Sequence, residues 1–243
     1  MRRHLKTYAA PRSWPVKIKE KTFTIRPASG PHPLALSIPL GMVLRDTLGY
    51  ATTVSEAKSV LSEGKVLIDG EVRKDYKLPI GLMDVLYLKP AETYYRVMPD
   101  RLKKLSLMKI SPEQASFKLV RITGKRTLGG KRVQLNTHDA RSIALKVEDP
   151  FDINMEYRLY DVLKVSIPGG EILERLPLEA GAYVSIIGGA HIGKYGTLVE
   201  TPENRGPKRL AKVAINGVES TVTLKYLFPI GKGSPIINTS EVA

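Results

Sequence analysis

Residues 181–200 read Gly181-Ala182-Tyr183-Val184-Ser185-Ile186-Ile187-Gly188-Gly189-Ala190-His191-Ile192-Gly193-Lys194-Tyr195-Gly196-Thr197-Leu198-Val199-Glu200. Tyr183, Val184, Ile186 and Ile187 predict a short strand, and Thr197–Glu200 begins a second. Gly188, Gly189, Gly193 and Gly196 let the chain turn between them and permit close approach of a partner backbone. Two functions can be read from these letters. One is a phosphate-binding loop, since Gly188 followed by Gly193-Lys194 satisfies most of G-x-x-x-x-G-K-[ST]. Tyr195 then stands where a Mg²⁺-binding hydroxyl belongs. The β-rich residues that follow offer no helix N-terminus to the phosphates.

The other reading is a hairpin of a small barrel. Alternating apolar residues, a central Gly193-Lys194-Tyr195-Gly196 and then Thr197-Leu198-Val199 resemble the KOW motif of RNA-associated ribosomal proteins and transcription elongation factors. A glycine-rich hairpin with no partner is the bland alternative.

Composition narrows the choice. The 243 residues suffice for two or three small domains, and 42% apolar content supports real cores. The absence of cysteine excludes disulfides and thiolate metal sites. The apolar runs are too short to span a membrane, and the basic N-terminus lacks the apolar core of a signal peptide. A net charge of +14 favours a polyanionic partner. That charge comes in blocks: +7 over residues 1–26, +9 over 101–132 and +5 over 205–232, with −1 over 27–100 and −5 over 133–204. Separated basic blocks suit a protein that lays several surfaces on a phosphate backbone. The alternative is a set of solvated basic faces.

Residues 1–40 read as a basic extension. Pro11, Pro15, Pro27, Pro31, Pro33 and Pro39 forbid a long helix or central strand. With few apolar residues, the segment is expected to be loosely ordered until bound. Its candidate RNA contacts are Arg2, Arg3, Lys6, Arg12, Lys17 and the sole tryptophan, Trp14, which can stack on a base or dock on the protein itself.

Residues 41–105 read as a compact unit. The stripe Leu40, Val43, Leu44, Thr47 and Leu48 predicts a helix ending at Gly49. Thr53 and Glu56 predict a capping box opening a second helix that stops at Gly64. Asp69-Gly70 between short apolar runs predicts a hairpin. Two short helices and a small sheet resemble the S-four-type RNA-binding domain, with Arg45, Lys58, Arg73 and Lys74 as candidate contacts. The domain is nearly neutral, so RNA and protein both remain open as its partner.

Residues 106–174 read as a β-rich central domain. Ser111-Pro112 predicts a helix start. Phe117–Thr123 and Lys131–Asn136 predict strands joined through Leu128-Gly129-Gly130. Lys118, Arg121, Lys125, Arg126, Lys131 and Arg132 crowd onto this hairpin, whose self-repulsion an adjacent RNA would relieve. His138, Asp139 and Ser142 have the residue types of a hydrolytic triad. No nucleophile elbow accompanies them, and a turn is the simpler reading. The four histidines show no metal-ligand spacing. Residues 175–243 hold the KOW hairpin and C-terminal strands, with His191, Lys194, Tyr195, Arg205, Lys208 and Arg209 as candidate RNA contacts.

The whole chain resembles one family. His4-Leu5-Lys6, Ala9-Ala10-Pro11-Arg12-Ser13-Trp14, Gly81-Leu82-Met83-Asp84-Val85, Thr137-His138-Asp139-Ala140-Arg141-Ser142-Ile143 and Phe228-Pro229-Ile230-Gly231-Lys232-Gly233 are similar to segments of the archaeal and eukaryotic small-subunit ribosomal protein S-four-E family. They occur in the family's order. The resemblance implies a multi-domain, mostly β, α+β protein with a small two-helix-plus-sheet RNA-binding domain and an SH3-like KOW barrel. It implies a cytoplasmic, archaeal-type structural constituent of the small ribosomal subunit that braces rRNA. Expected partners are small-subunit rRNA and neighbouring ribosomal proteins, with no membrane, small-molecule substrate, cofactor, metal or catalytic residue. A transcription or translation factor that uses the KOW barrel transiently is the alternative.

Overall fold

The computed structural model describes residues 4–17, 19–102, 104–146, 156–202, 206 and 208–238. Strands dominate, helices are few, and the chain divides into two compact units. One is built from Met1–Met98 and Leu102–Ala115, the other from Pro99–Arg101 and Ser116–Ala243.

The first unit begins with a ribbon of Leu5–Lys6 against Phe23–Thr24. Prolines keep the segment between and after them free of longer elements. Residues 1–40, expected to be loosely ordered until bound, bury several side chains, and Trp14 docks on the protein itself. Trp14 is 5% exposed and its indole N–H donates to the Ser37 carbonyl at 2.7 Å. Ile25 and His32 are buried too. His32 Nε2 lies 3.0–3.1 Å from both oxygens of the buried Asp84 carboxylate, which also accepts from the Gly81 N–H at 2.9 Å. The imidazole packs against Gly81, where a Cβ would come within 2.2 Å of it. Counting apolar residues along the segment missed that scattered side chains such as Trp14, Ile25 and His32 are buried against residues from elsewhere in the chain.

Ser37–Pro39 pairs with Pro79–Gly81. Helix Leu40–Met42 then runs on through a π turn, Val43–Thr47, and buries Leu40, Met42, Val43 and Leu44. Gly49, at φ 70°, reverses the chain after it. Helix Val54–Ser62 opens on the expected capping box: Glu56 N–H donates to Thr53 Oγ1 at 3.2 Å, and Glu56 Oε2 accepts from Thr53 N–H at 3.4 Å. Ala57 and Leu61 face inward. Asp69 and Gly70, both at positive φ, close the hairpin of Val66–Ile68 and Glu71–Val72. The resulting sheet has the order Glu71–Val72, Val66–Ile68, Val85–Leu88, Thr93–Asp100, Lys104–Ile110.

The second unit holds two five-stranded sheets. In the first the order is Ser142–Lys146, Arg132–Thr137, Phe117–Leu128, Val162–Ser166, Ile172–Leu176, antiparallel throughout. The long strand Phe117–Leu128 divides its pairing: residues 117–121 bond to Val162–Ser166, and residues 122–128 to Arg132–Thr137. A register shift between Ile122 and Gly124 marks the change. Val120, Ile122, Val133, Leu135, Leu163 and Val165 form the core there. In the second sheet the order is Val218–Thr223, Leu210–Ile215, Tyr195–Glu200, Ala182–Ile186, Leu227–Lys232. Val184, Ile186, Leu198, Val213, Leu224 and Leu227 fill its core.

Candidate nucleic-acid interface

The hairpin of residues 117–137 has two regions of opposite character. Near its base the cations belong to the fold. Lys118 is 1% exposed, and its ammonium lies 3.1 Å from Asp139 Oδ2. Asp139 also accepts from the Thr137 hydroxyl and lies 3.1 Å from Arg141 Nε. Burial pushes the Asp139 carboxyl up. The Lys118 charge and hydrogen bond, the Thr137 hydrogen bond and nearby His138 together outweigh it and hold the carboxyl below its ordinary value.

Arg121 corrects the sequence reading, which offered it to RNA. Its guanidinium donates to the carbonyls of Lys225 at 2.8 Å and Leu227 at 2.9 Å. It also lies 5.7 Å from the Tyr160 ring centre. Desolvation pushes its pKa down to about 10. Arg121 joins the two sheets of the second unit through these two carbonyls.

Beyond the register shift the strand enters solvent. Arg126, Lys131 and Arg132 are exposed and Lys125 is half-exposed. Lys131, at φ 51°, and Gly130, at φ 74°, form the turn that carries them. Lys125 is opposite Leu135 and Arg126 opposite Gln134, so these adjacent cations project from opposite faces of the ribbon.

The Gly-rich segment is a strand–turn–strand, with Ala182–Ile186 paired to Tyr195–Glu200. Its glycines answer packing demands. A Cβ on Gly188 would meet the Tyr226 ring at 2.4 Å, and one on Gly196 the Ala214 carbonyl oxygen at 2.4 Å. Gly193, at φ 78°, lies against the Asp100–Arg101 backbone. Because a strand follows Lys194, the phosphate-loop reading has no helix N-terminus to rest on. His191 and Lys194 are half-exposed on the turn. Tyr195 is half-buried, and desolvation raises its pKa.

Among the other candidates, Lys6, Arg12, Lys17, Lys58, Arg73, Lys74, Lys208 and Arg209 are exposed. Lys17 is paired with Glu20 at 2.8 Å, and Arg73 with Glu71. Arg45 is half-buried and grips both oxygens of Asp46 at 2.7 and 2.8 Å, which raises its pKa. Trp14, buried and hydrogen-bonded to Ser37, is unavailable for stacking on a base, which corrects that part of the reading. Arg2, Arg3 and Arg205 lie outside the described residues. The sequence reading missed an open groove in the first unit that brings together Phe23, Tyr76 and several cations. No local signal joins residues so far apart in the chain.

The triad types do not assemble. His138 Nδ1 accepts from the Arg121 N–H at 3.0 Å, and its ring forms a T-shaped pair with Phe228. The Ser142 hydroxyl bonds to Asn136 and Gln134 instead. Ala140, at φ 58°, completes the turn. Among the described residues no three His, Asp or Glu side chains are grouped to hold a metal ion, and no helix is long and apolar enough to cross a membrane.

Three family models match the chain. They are the RS4NT (NUC023) domain over residues 1–35, the S4 domain over 39–86, and Ribosomal family S4e over 91–172. The small ribosomal subunit protein eS4 of Ignicoccus hospitalis is 41% identical over 247 aligned residues, covering 100% of this chain and 96% of the relative. The protein of the same name from Methanocaldococcus jannaschii is 41% identical, covering 97% of each. The crystal structure of the 30S ribosomal protein S4e from Thermoplasma acidophilum superposes with a TM-score of 0.67 at 29% identity, over 81% of this chain and 96% of the other. At about 40% identity over the whole chain, with a mostly β fold similar to that structure, the chain belongs to the S4e family of ribosomal proteins.

Proposed function

We propose that this protein is a non-catalytic constituent of the small ribosomal subunit in the cytoplasm, where it binds and braces rRNA. The observation that carries the reading is full-length identity of about 40% to proteins named small ribosomal subunit protein eS4. An S4 domain and an exposed basic hairpin tip support it. Residues 1–40 serve as the basic extension and 41–105 as the S4-type domain with its two short helices. Residues 106–174 serve as the central β domain, and 175–243 as the KOW-bearing barrel with its C-terminal strands.

Lys125, Arg126, Lys131 and Arg132 are the principal phosphate contacts. Lys6, Arg12, Lys17, Lys58, Arg73 and Lys74 serve the first unit, and His191, Lys194, Lys208 and Arg209 the second. Cations beside packed RNA strands neutralise phosphates that would otherwise repel. Such contacts fix position and carry little sequence information. The partners are small-subunit rRNA and neighbouring ribosomal proteins.

Replacing Lys125, Arg126, Lys131 and Arg132 with Ser tests the hairpin. The tip is exposed, so thermal stability should hold. The log–log salt slope of rRNA binding should flatten by about three to four units if all four touch duplex phosphates. An unchanged slope with intact stability would place the hairpin in solvent.

A further inference from the structure

We infer that the open groove on the first unit, walled by Phe23 and Tyr76, holds one unstacked base of single-stranded RNA. The inference rests on the RNA-binding role proposed above and names the chemistry of one site within it. The groove encloses about 450 Å³, within the roughly 300–1,000 Å³ range of sites for small organic groups. Phe23 lines it while remaining 54% exposed, and the His4 ring lies 5.7 Å away, tilted by 56°. Tyr76 forms another part of the wall. The Lys58 ammonium lies 4.5 Å from its ring centre and that of Lys77 lies 5.5 Å away. Arg26 adds positive charge beside Lys77, the Arg45 charge is balanced by Asp46, and no Asp or Glu is among the lining residues. The neighbouring carboxylates are engaged: Asp46 by the Arg45 guanidinium, Asp75 by the Lys77 backbone N–H.

Each feature has a use for a splayed-out nucleotide. Phe23 sits on a two-residue strand of the Leu5–Lys6 and Phe23–Thr24 ribbon, which leaves the ring more than half exposed. A base stacked on it would cover that face, and stacking tolerates any base because all have a π surface. The rim cations then meet the flanking phosphates. A-form duplex cannot use the site, because its bases are already stacked and it presents phosphates and 2′-hydroxyls instead. An acidic protein segment would satisfy the cations but leave the aromatic walls without a matching face.

The test uses the full chain and fluorescence anisotropy with three probes: a labelled oligouridylate of about ten nucleotides, an RNA duplex of similar length, and a polyglutamate peptide. Phe23→Leu keeps an apolar side chain and removes the π face. It should weaken single-strand binding about tenfold, the effect of losing one stacked base. Duplex binding should stay within about twofold of wild type. Tyr76→Phe, which keeps the ring, should bind as wild type, and Trp14 emission should show all variants folded. Unchanged single-strand binding by Phe23→Leu, or equal loss on duplex, would overturn the groove while leaving the wider RNA-binding reading intact. Polyglutamate binding that is tighter than the strand and lost in Phe23→Leu would make the groove a protein-docking site and overturn it too. A wild-type chain that binds neither RNA would overturn both readings together.

Discussion

At the scale of single residues, burial separates cations that hold the fold from cations that meet a partner. Lys118 is buried and satisfied by Asp139. Asp139→Asn removes that counter-charge and leaves an ammonium in the core. Breaking a buried pair from one side costs about 3–5 kcal/mol. The expected outcome is a loss of that order in denaturant unfolding, with most of it recovered in the double variant Lys118→Met, Asp139→Asn. The pH dependence has a definite sign. The Asp139 carboxyl is held below its ordinary value in the folded state. It therefore contributes stability above its unfolded pKa of about 3.9, and that stability is lost as pH falls through the lower folded value. Acid unfolding of Asp139→Asn should lack this component. Trp14 supplies a second test, being the only tryptophan. Buried against Ser37, it should give blue-shifted emission in the free protein that RNA leaves unchanged. Solvent-exposed emission, or quenching by RNA, would restore the stacking role.

At the scale of elements, the legible features were those fixed by neighbours in sequence. The Thr53–Glu56 capping box, the Asp69-Gly70 turn and the Gly129-Gly130 turn each depend on a few adjacent residues, and each lies where the pattern put it. Thr53→Ala should cost about 1 kcal/mol, measurable by thermal unfolding, because one helix N–H loses its acceptor. The Gly-rich hairpin was legible as two strands, but the reason for its glycines was not. Gly196 is required by the Ala214 carbonyl oxygen on the adjacent strand, 2.4 Å from where a Cβ would sit. Gly196→Ala should therefore destabilise the C-terminal sheet by about 1–3 kcal/mol, the usual cost of overpacking. Amide exchange in Tyr195–Glu200 and Leu210–Ile215 should report it. Arg121 was misread for the same reason. Its acceptors lie more than 100 residues away at Lys225 and Leu227, and charge alone does not name a partner.

At the scale of the whole molecule, the charge blocks, the family order and the β-rich character could be read from the chain, because they are sums over many residues. The anchoring of residues 4–36 could not, since it depends on Trp14, Ile25 and His32 entering a core that other residues build. The Gly188–Lys194 turn leads into a strand, so Mg-ATP should bind no more tightly than incidental phosphate contact allows, with a Kd well above the micromolar range that about −8 kcal/mol would give. Calorimetry checks this, and a micromolar Kd abolished by Lys194→Ala would contradict it. Bracing rRNA from within the subunit demands permanent residence, whereas a transient factor with the same basic surfaces would leave as counterions compete. Sucrose-gradient fractionation of cell lysate at high salt separates these most directly. The protein is expected to co-migrate with small subunits after the salt wash. Its release into the top fractions while small subunits stay intact would contradict a structural role.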